Sequence, residues 1–156
     1  MRTWTLISAA VVFTATASAI TMVEPTGVER QSASRVVEIR SYNLRPGTRD
    51  RFHQLFLKEA LPMLMRWKVD VVAYGPSLHD DNSYFLMRAF TSVEQRQKDE
   101  DAFYGSQEWI KGPRERVLAD IDSYTTIVVH LDDATLQGLR KALSAEALAK
   151  AEGGQE

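Results

Sequence analysis

The chain has 156 residues, 44% hydrophobic and 26% charged, a balance that fits one soluble domain with extensions. A formal charge of −2 with scattered Lys and Arg offers no basic field, so nucleic acid is not an expected partner. There is no cysteine, which excludes disulfides, thiol nucleophiles, thiolate-ligated zinc and lipid attachment at an N-terminal cysteine.

Residues 1–19 read as a secretory signal peptide: Arg2 is a positive n-region, Leu6 to Phe13 an apolar core, and Ala17-Ser18-Ala19 a cleavage site. The apolar run falls short of the roughly 20 residues that span a bilayer. An uncleaved anchor and an organelle transit peptide are the competing readings, and the second wants more arginine than Arg2 alone. The expectation is an exported protein, periplasmic or secreted, with no stable membrane insertion after cleavage. Residues 20–34, with Pro25, Gly27, Gln31, Ser32 and Ser34, form a flexible leader.

Residues 35–131 carry the domain. Arg35 to Leu44 alternate as a strand, with Val37, Ile39 and Ser41 on one face and Glu38, Arg40 and Tyr42 on the other. The charged face belongs either to a polar cavity or to solvent. Pro46-Gly47 turns the chain, Thr48 is a candidate N-cap, and a helix runs to about Trp67. Its apolar stripe is Phe52, Leu55, Phe56, Ala60, Met63, Leu64 and Trp67, with a kink expected at Pro62. His53 borders the stripe, as a general base or as a packing residue.

Val69 to Tyr74 form a second strand, ended by Gly75-Pro76. His79, Asp80 and Asp81 sit in a polar loop; a solvated hairpin explains them better than a metal site. Ser83 to Phe90 are apolar on both faces and read as a central strand. Its Arg88 needs either an anionic ligand or a structural partner, and Glu38 is that partner if strands one and three are neighbours. Ser92-Val93-Glu94-Gln95 opens a second helix. It meets an elbow at residues 101–114, where Gly105, Gly112 and Pro113 interrupt a stretch holding Phe103, Tyr104 and Trp109. A helix that stops at Gly105 and restarts at Ser106 turns Tyr104 and Trp109 toward each other, to line a pocket or fill a core. Asp122 to His130 form a fourth strand rich in β-branched residues. Residues 132–156 are a last helix, capped by Asp132 or Asp133 with a narrow Leu136, Leu139, Leu143 stripe, and a loose tail.

The order is β-α-β-β-α-β, an α+β, ferredoxin-like arrangement. On Val37-Glu38-Ile39-Arg40-Ser41-Tyr42 with Pro46-Gly47, on Tyr74-Gly75-Pro76-Ser77, on Ala102 to Trp109 and on Asp122-Ser123-Tyr124-Thr125-Thr126, the chain resembles the NIPSNAP family of the dimeric α/β-barrel superfamily. The resemblance implies a homodimer in which two sheets close a barrel with helices outside. The superfamily holds cofactor-free monooxygenases, haem-degrading enzymes, isomerases and cyclases, and the fold does not choose among them. The family supplies no catalytic set to transfer.

No phosphate loop, dinucleotide fingerprint, nucleophile triad or cofactor motif is present. The functional expectation is a pocket for a small, partly apolar molecule, with a non-catalytic ligand- or protein-binding dimer as the alternative. His53 is the candidate catalytic base; Tyr42, Tyr74, Arg88, Tyr104 and Trp109 are the candidate ligand contacts. Tyr42 and Arg88 are expected to face the barrel, Tyr104 and Trp109 the helical layer. N-terminal sequencing of protein from its native source is expected to start at Ile20; an intact Met1 contradicts export by cleavage.

Overall fold

The computed structural model describes the backbone of residues 34–153 and the side chains of residues 34–143. The signal peptide and nearly all of the leader read from the sequence lie outside the described residues.

Four antiparallel strands form one sheet in the order β2-β3-β1-β4: β1 is Ser34–Leu44, β2 Asp70–Pro76, β3 Ser83–Phe90 and β4 Ile121–Asp132. The connections β1-helix-β2 and β3-helix-β4 make this the expected ferredoxin-like α+β fold. β3 is central, as its two apolar faces require. Its register sets Arg88 opposite Glu38 and Tyr84 opposite Tyr42. β4 pairs along the other side of β1, setting Thr126 beside Arg40 and Tyr124 beside Tyr42.

The first crossover is one continuous helical run in three parts: α1 (Arg49–Leu55), a π-helical turn (Phe56–Ala60) and α2 (Leu61–Arg66). The disruption expected at Pro62 therefore falls one turn earlier. The Leu61 N–H reaches back five residues to the Phe56 carbonyl, and the widened turn accommodates a proline that cannot donate. The stripe stays on the core, with Phe52, Phe56, Ala60, Met63 and Leu64 all buried. Trp67 ends it half-exposed, its indole donating to Glu108 at 2.8 Å. Thr48 holds the N-cap position, but its hydroxyl donates backward to the Arg45 carbonyl at 2.8 Å rather than capping the helix.

The second crossover is α3 (Val93–Tyr104), α4 (Gln107–Lys111) and α5 (Arg114–Asp120). Ser92 caps α3 by accepting the Gln95 N–H, and Ser106 restarts α4 by accepting the Trp109 N–H, each at 3.1 Å. At Gly112 the chain passes so close to the preceding helix that a Cβ would stand 2.3 Å from the Glu108 carbonyl oxygen. Only glycine fits that bend.

Helices α1 to α5 cover one face of the sheet. The main core forms there around Tyr42, Leu44, Phe52, Phe56, Tyr84, Leu86, Phe103 and Trp109. On the second face α6 (Asp133–Gly153) lies against β2 and β4, and its Leu136, Leu139 and Leu143 join Val37, Val72, Ala73, Ala89, Val129 and Leu131 in a second core. Asp132 caps it by accepting from the Thr135 N–H, and Arg140 ties it to Asp70 of β2 at 2.5 Å. Among the described residues, no helix is long and apolar enough to cross a membrane.

Candidate ligand site

Strand alternation aims Glu38, Arg40 and Tyr42 of β1 at the helices, together with Arg88 of β3. The face of α3 above them carries Arg96, Glu100 and Tyr104, spaced four residues apart on one stripe. Five of these side chains make one buried ionic cluster. Arg88 bonds the carboxylates of both Glu38 and Glu100. Arg96 bonds Glu38 through its Nε at 2.6 Å and reaches Glu100 at 3.0 Å. Arg40 reaches Glu100 at 3.0 Å and Glu38 at 3.1 Å. The Tyr104 hydroxyl closes the cluster by accepting from Arg40 at 3.1 Å and Arg88 at 3.3 Å. Glu38 is 0% and Arg88 1% exposed.

Burial pushes the Glu38 carboxyl up, but the Arg88 charge and hydrogen bond, with help from Arg40, outweigh it and hold the group down at about 2. Burial and the adjacent Glu38 push Glu100 the other way, so Glu100 takes up a proton first on acidification. Burial likewise raises the Tyr42 phenol, which stays neutral.

Beside this cluster opens a cavity of about 440 Å³, within the size range of small-molecule sites. Its floor is Arg40, Tyr42 and Tyr124 from the sheet; its helical wall is Gln97, Glu100, Asp101, Tyr104, Trp109, Arg114, Val117 and Leu118, with Ile121 at the corner. The Arg40 guanidinium lies 5.1 Å from the Tyr124 ring centre and 5.9 Å from that of Tyr104. The elbow brings Tyr104 and Trp109 edge to face at 5.5 Å, with Phe103 packed behind both. Tyr124, 57% exposed, and Leu118, 44% exposed, leave an apolar lip.

Of the six residues singled out from sequence, Tyr42, Tyr104 and Trp109 line this cavity. Arg88 lies behind its wall and acts on it through Tyr104 and Glu100. Tyr42 and Arg88 face the helices, not the barrel side as expected, because they share parity with Glu38 on the face that α3 covers. Tyr74 packs on Phe56 at 4.9 Å outside the cavity. His53 also lies outside it, its Nδ1 2.9 Å from the buried Tyr84 hydroxyl. Tyr104 and Trp109 thus converge without His53.

The sequence reading missed Arg40, Glu100, Arg114 and Tyr124 as site residues. The four-residue spacing of Arg96, Glu100 and Tyr104 was the available signal for the helical wall. His79 and Asp80 stay in the hairpin, where the Asp80 carboxylate accepts the Asn82 and Ser83 N–H groups at 2.7 Å each. Among the described residues, no group of three potential ligands is placed to hold a metal. Chemically, the cavity offers a fixed cation, phenols and stacked rings.

A family model described as NIPSNAP matches residues 37–130. Similar solved structures include a NIPSNAP family protein from Agrobacterium tumefaciens, 18% identical, with a TM-score of 0.58 over 64% of this chain and 87% of that one. A second from the same organism, described as of unknown function, is 17% identical with a TM-score of 0.58, covering 63% and 88%. An uncharacterised NIPSNAP domain protein from Burkholderia xenovorans is 14% identical with a TM-score of 0.55, covering 60% and 91%. No curated protein matches the chain.

Replacing Glu38 with Gln is expected to cost about 3–5 kcal/mol, because it strands the buried Arg88 and Arg96 charges. The pH dependence has a fixed sign. The folded-state pKa of Glu38 lies below its ordinary 4.5, so its stabilisation is full above that value and drains away as pH falls toward about 2. Acid denaturation followed by circular dichroism is expected to show a flatter limb in this window for Glu38→Gln than for wild type; parallel limbs contradict the assignment.

Proposed function

This chain belongs to the NIPSNAP family, and from that premise we propose that it binds, or binds and transforms, a small partly apolar molecule in the cavity between α3–α5 and the sheet. One observation carries the reading. Arg40 forms part of a cavity floor, clamped by Glu38, Glu100 and Tyr104, with Tyr124 beneath it and Trp109 in the wall. A purely structural arginine would have its ionic partners and no adjoining ring-lined space. The proposal takes the protein to be exported and to work as a homodimer.

A second copy is proposed on the part of the second sheet face that α6 leaves open. There Ile127 is 55% exposed, paired with half-buried Ile39 across the strands, and Phe85 and Met87 of β3 lie nearby.

Two measurements test these readings. Mass spectrometry of protein isolated from its own source and then unfolded is expected to release a small molecule. Leu118→Trp, which fills the cavity lip at an exposed position, is expected to release none while melting as wild type does. Equal recovery from both, or no recovery from wild type, contradicts the site. Light scattering of the mature chain at micromolar concentration is expected to give the mass of two copies, and a folded monomer contradicts the dimer.

A further inference from the structure

We propose that the ligand of this cavity is a flat, aromatic monocarboxylate, its carboxylate held by Arg40, Tyr104 and Arg114 and its body lying against Tyr42, Trp109 and Tyr124. The proposal rests on the cavity being a ligand site and specifies what it selects.

The first argument is the stock of unused donors. A guanidinium has five N–H donors and no acceptor. Arg40 spends Nη1 on Tyr104 and Nη2 on Glu100 and Glu38, while its Nε is buried without any acceptor. One Nη1 hydrogen is also left over. The Tyr104 oxygen already accepts from two guanidiniums, which leaves its own O–H to donate. The second Nη1 hydrogen of Arg40 and the Tyr104 hydroxyl are thus the donors left to a ligand, beside the Glu100 carboxylate that Arg40 already holds.

The second argument is charge. Arg40, Arg88 and Arg96 face only two carboxylates, Glu38 and Glu100, so the cluster carries one surplus positive charge where water is scarce. At the rim Arg114 has no ion-pair partner among the described residues, and Asp101, which accepts from Gln97 at 2.9 Å, offsets its charge without pairing with it. A monoanion closes this surplus. A phosphate dianion overshoots it, and no glycine-rich loop of the kind that cradles phosphate lines the cavity.

The third argument is shape. Tyr104 and Trp109 stand at 74° to one another, Tyr42 and Tyr124 are 6.1 Å apart, and Val117, Leu118 and Ile121 complete an apolar wall. Ring-lined walls favour a flat body, and a planar carboxylate suits a guanidinium edge.

Calorimetric titration of the mature chain with naphthalene carboxylate, its carboxamide and naphthyl phosphate tests the proposal. The carboxylate is expected to bind saturably, with the amide about tenfold weaker, the worth of one charge-assisted hydrogen bond, and the phosphate weaker than the carboxylate. Arg114→Gln, an exposed change that spares the core, is expected to weaken the carboxylate about tenfold and leave the amide unchanged. Equal affinity for carboxylate and amide overturns the anion proposal but leaves the cavity as a ligand site. Tighter phosphate binding overturns it in favour of a phosphate. Failure of all three to bind at millimolar concentration overturns the aromatic-carboxylate proposal, whereas the cavity reading falls only if the native protein releases no small molecule.

Discussion

An arginine and a glutamate facing each other across two inner strands can leave water only if each supplies what solvent supplied before. Glu38 and Arg88 meet in register between β1 and β3, both essentially without exposure, and neither could be buried alone. Arg96 and Glu100 descend from α3 and Arg40 joins from β1, so the pair becomes a cluster that joins the sheet to the second crossover. A hydrophobic core of the same volume would hold the layers together as well. What the ionic cluster adds is direction: it fixes the angle of α3 over β1 and with it the position of every side chain on that helix face. Tyr104, two turns beyond Arg96, is held by hydrogen bonds from two of the cluster's arginines.

The elbow depends on that anchoring. With Tyr104 fixed, the break at Gly105 and the Ser106 cap decide where α4 restarts, and Trp109 swings back against Tyr104 and Phe103. The tight bend at Gly112 then sends α5 along the cavity, where Arg114, Val117 and Leu118 form its outer wall. The cavity is therefore the gap between an ionic clamp on one side and an aromatic hinge on the other. Its floor is charged because β1 alternates, and its wall is aromatic and apolar at Tyr104, Trp109, Val117 and Leu118 because of the hinge, with Glu100, Asp101 and Arg114 between them.

Much of this was legible in the residues. The two-residue period of β1 and β3 set their faces, and Glu38 with Arg88 was the natural pair once the strands were neighbours. Gly105, Ser106 and Pro113 mark the elbow in the sequence itself. The side of the sheet was not legible: parity says which residues share a face, not which layer covers it, and so Tyr42 and Arg88 were set toward the barrel. Arg40 read as half of a charged strand face, because its role comes from α3, sixty residues away. His53 looked chemically apt, yet α1 lays it on Tyr84 of β3, away from the cavity. Pro62 signalled a break in the helix, but only the backbone shows that a π-turn upstream takes it up. α6 reached the second face through a leucine stripe too narrow for the sequence to say what it covers.

The central claim is that a buried cluster presents Arg40 as the fixed cation of a ligand cavity. NMR of the arginine side-chain N–H groups and the tryptophan indoles tests it directly, during titration with naphthalene carboxylate. The account predicts that the Arg40 and Trp109 signals shift together and saturate together, while Arg116, paired with Glu59 at the surface, stays still. Saturable binding that moves neither Arg40 nor Trp109 would contradict it.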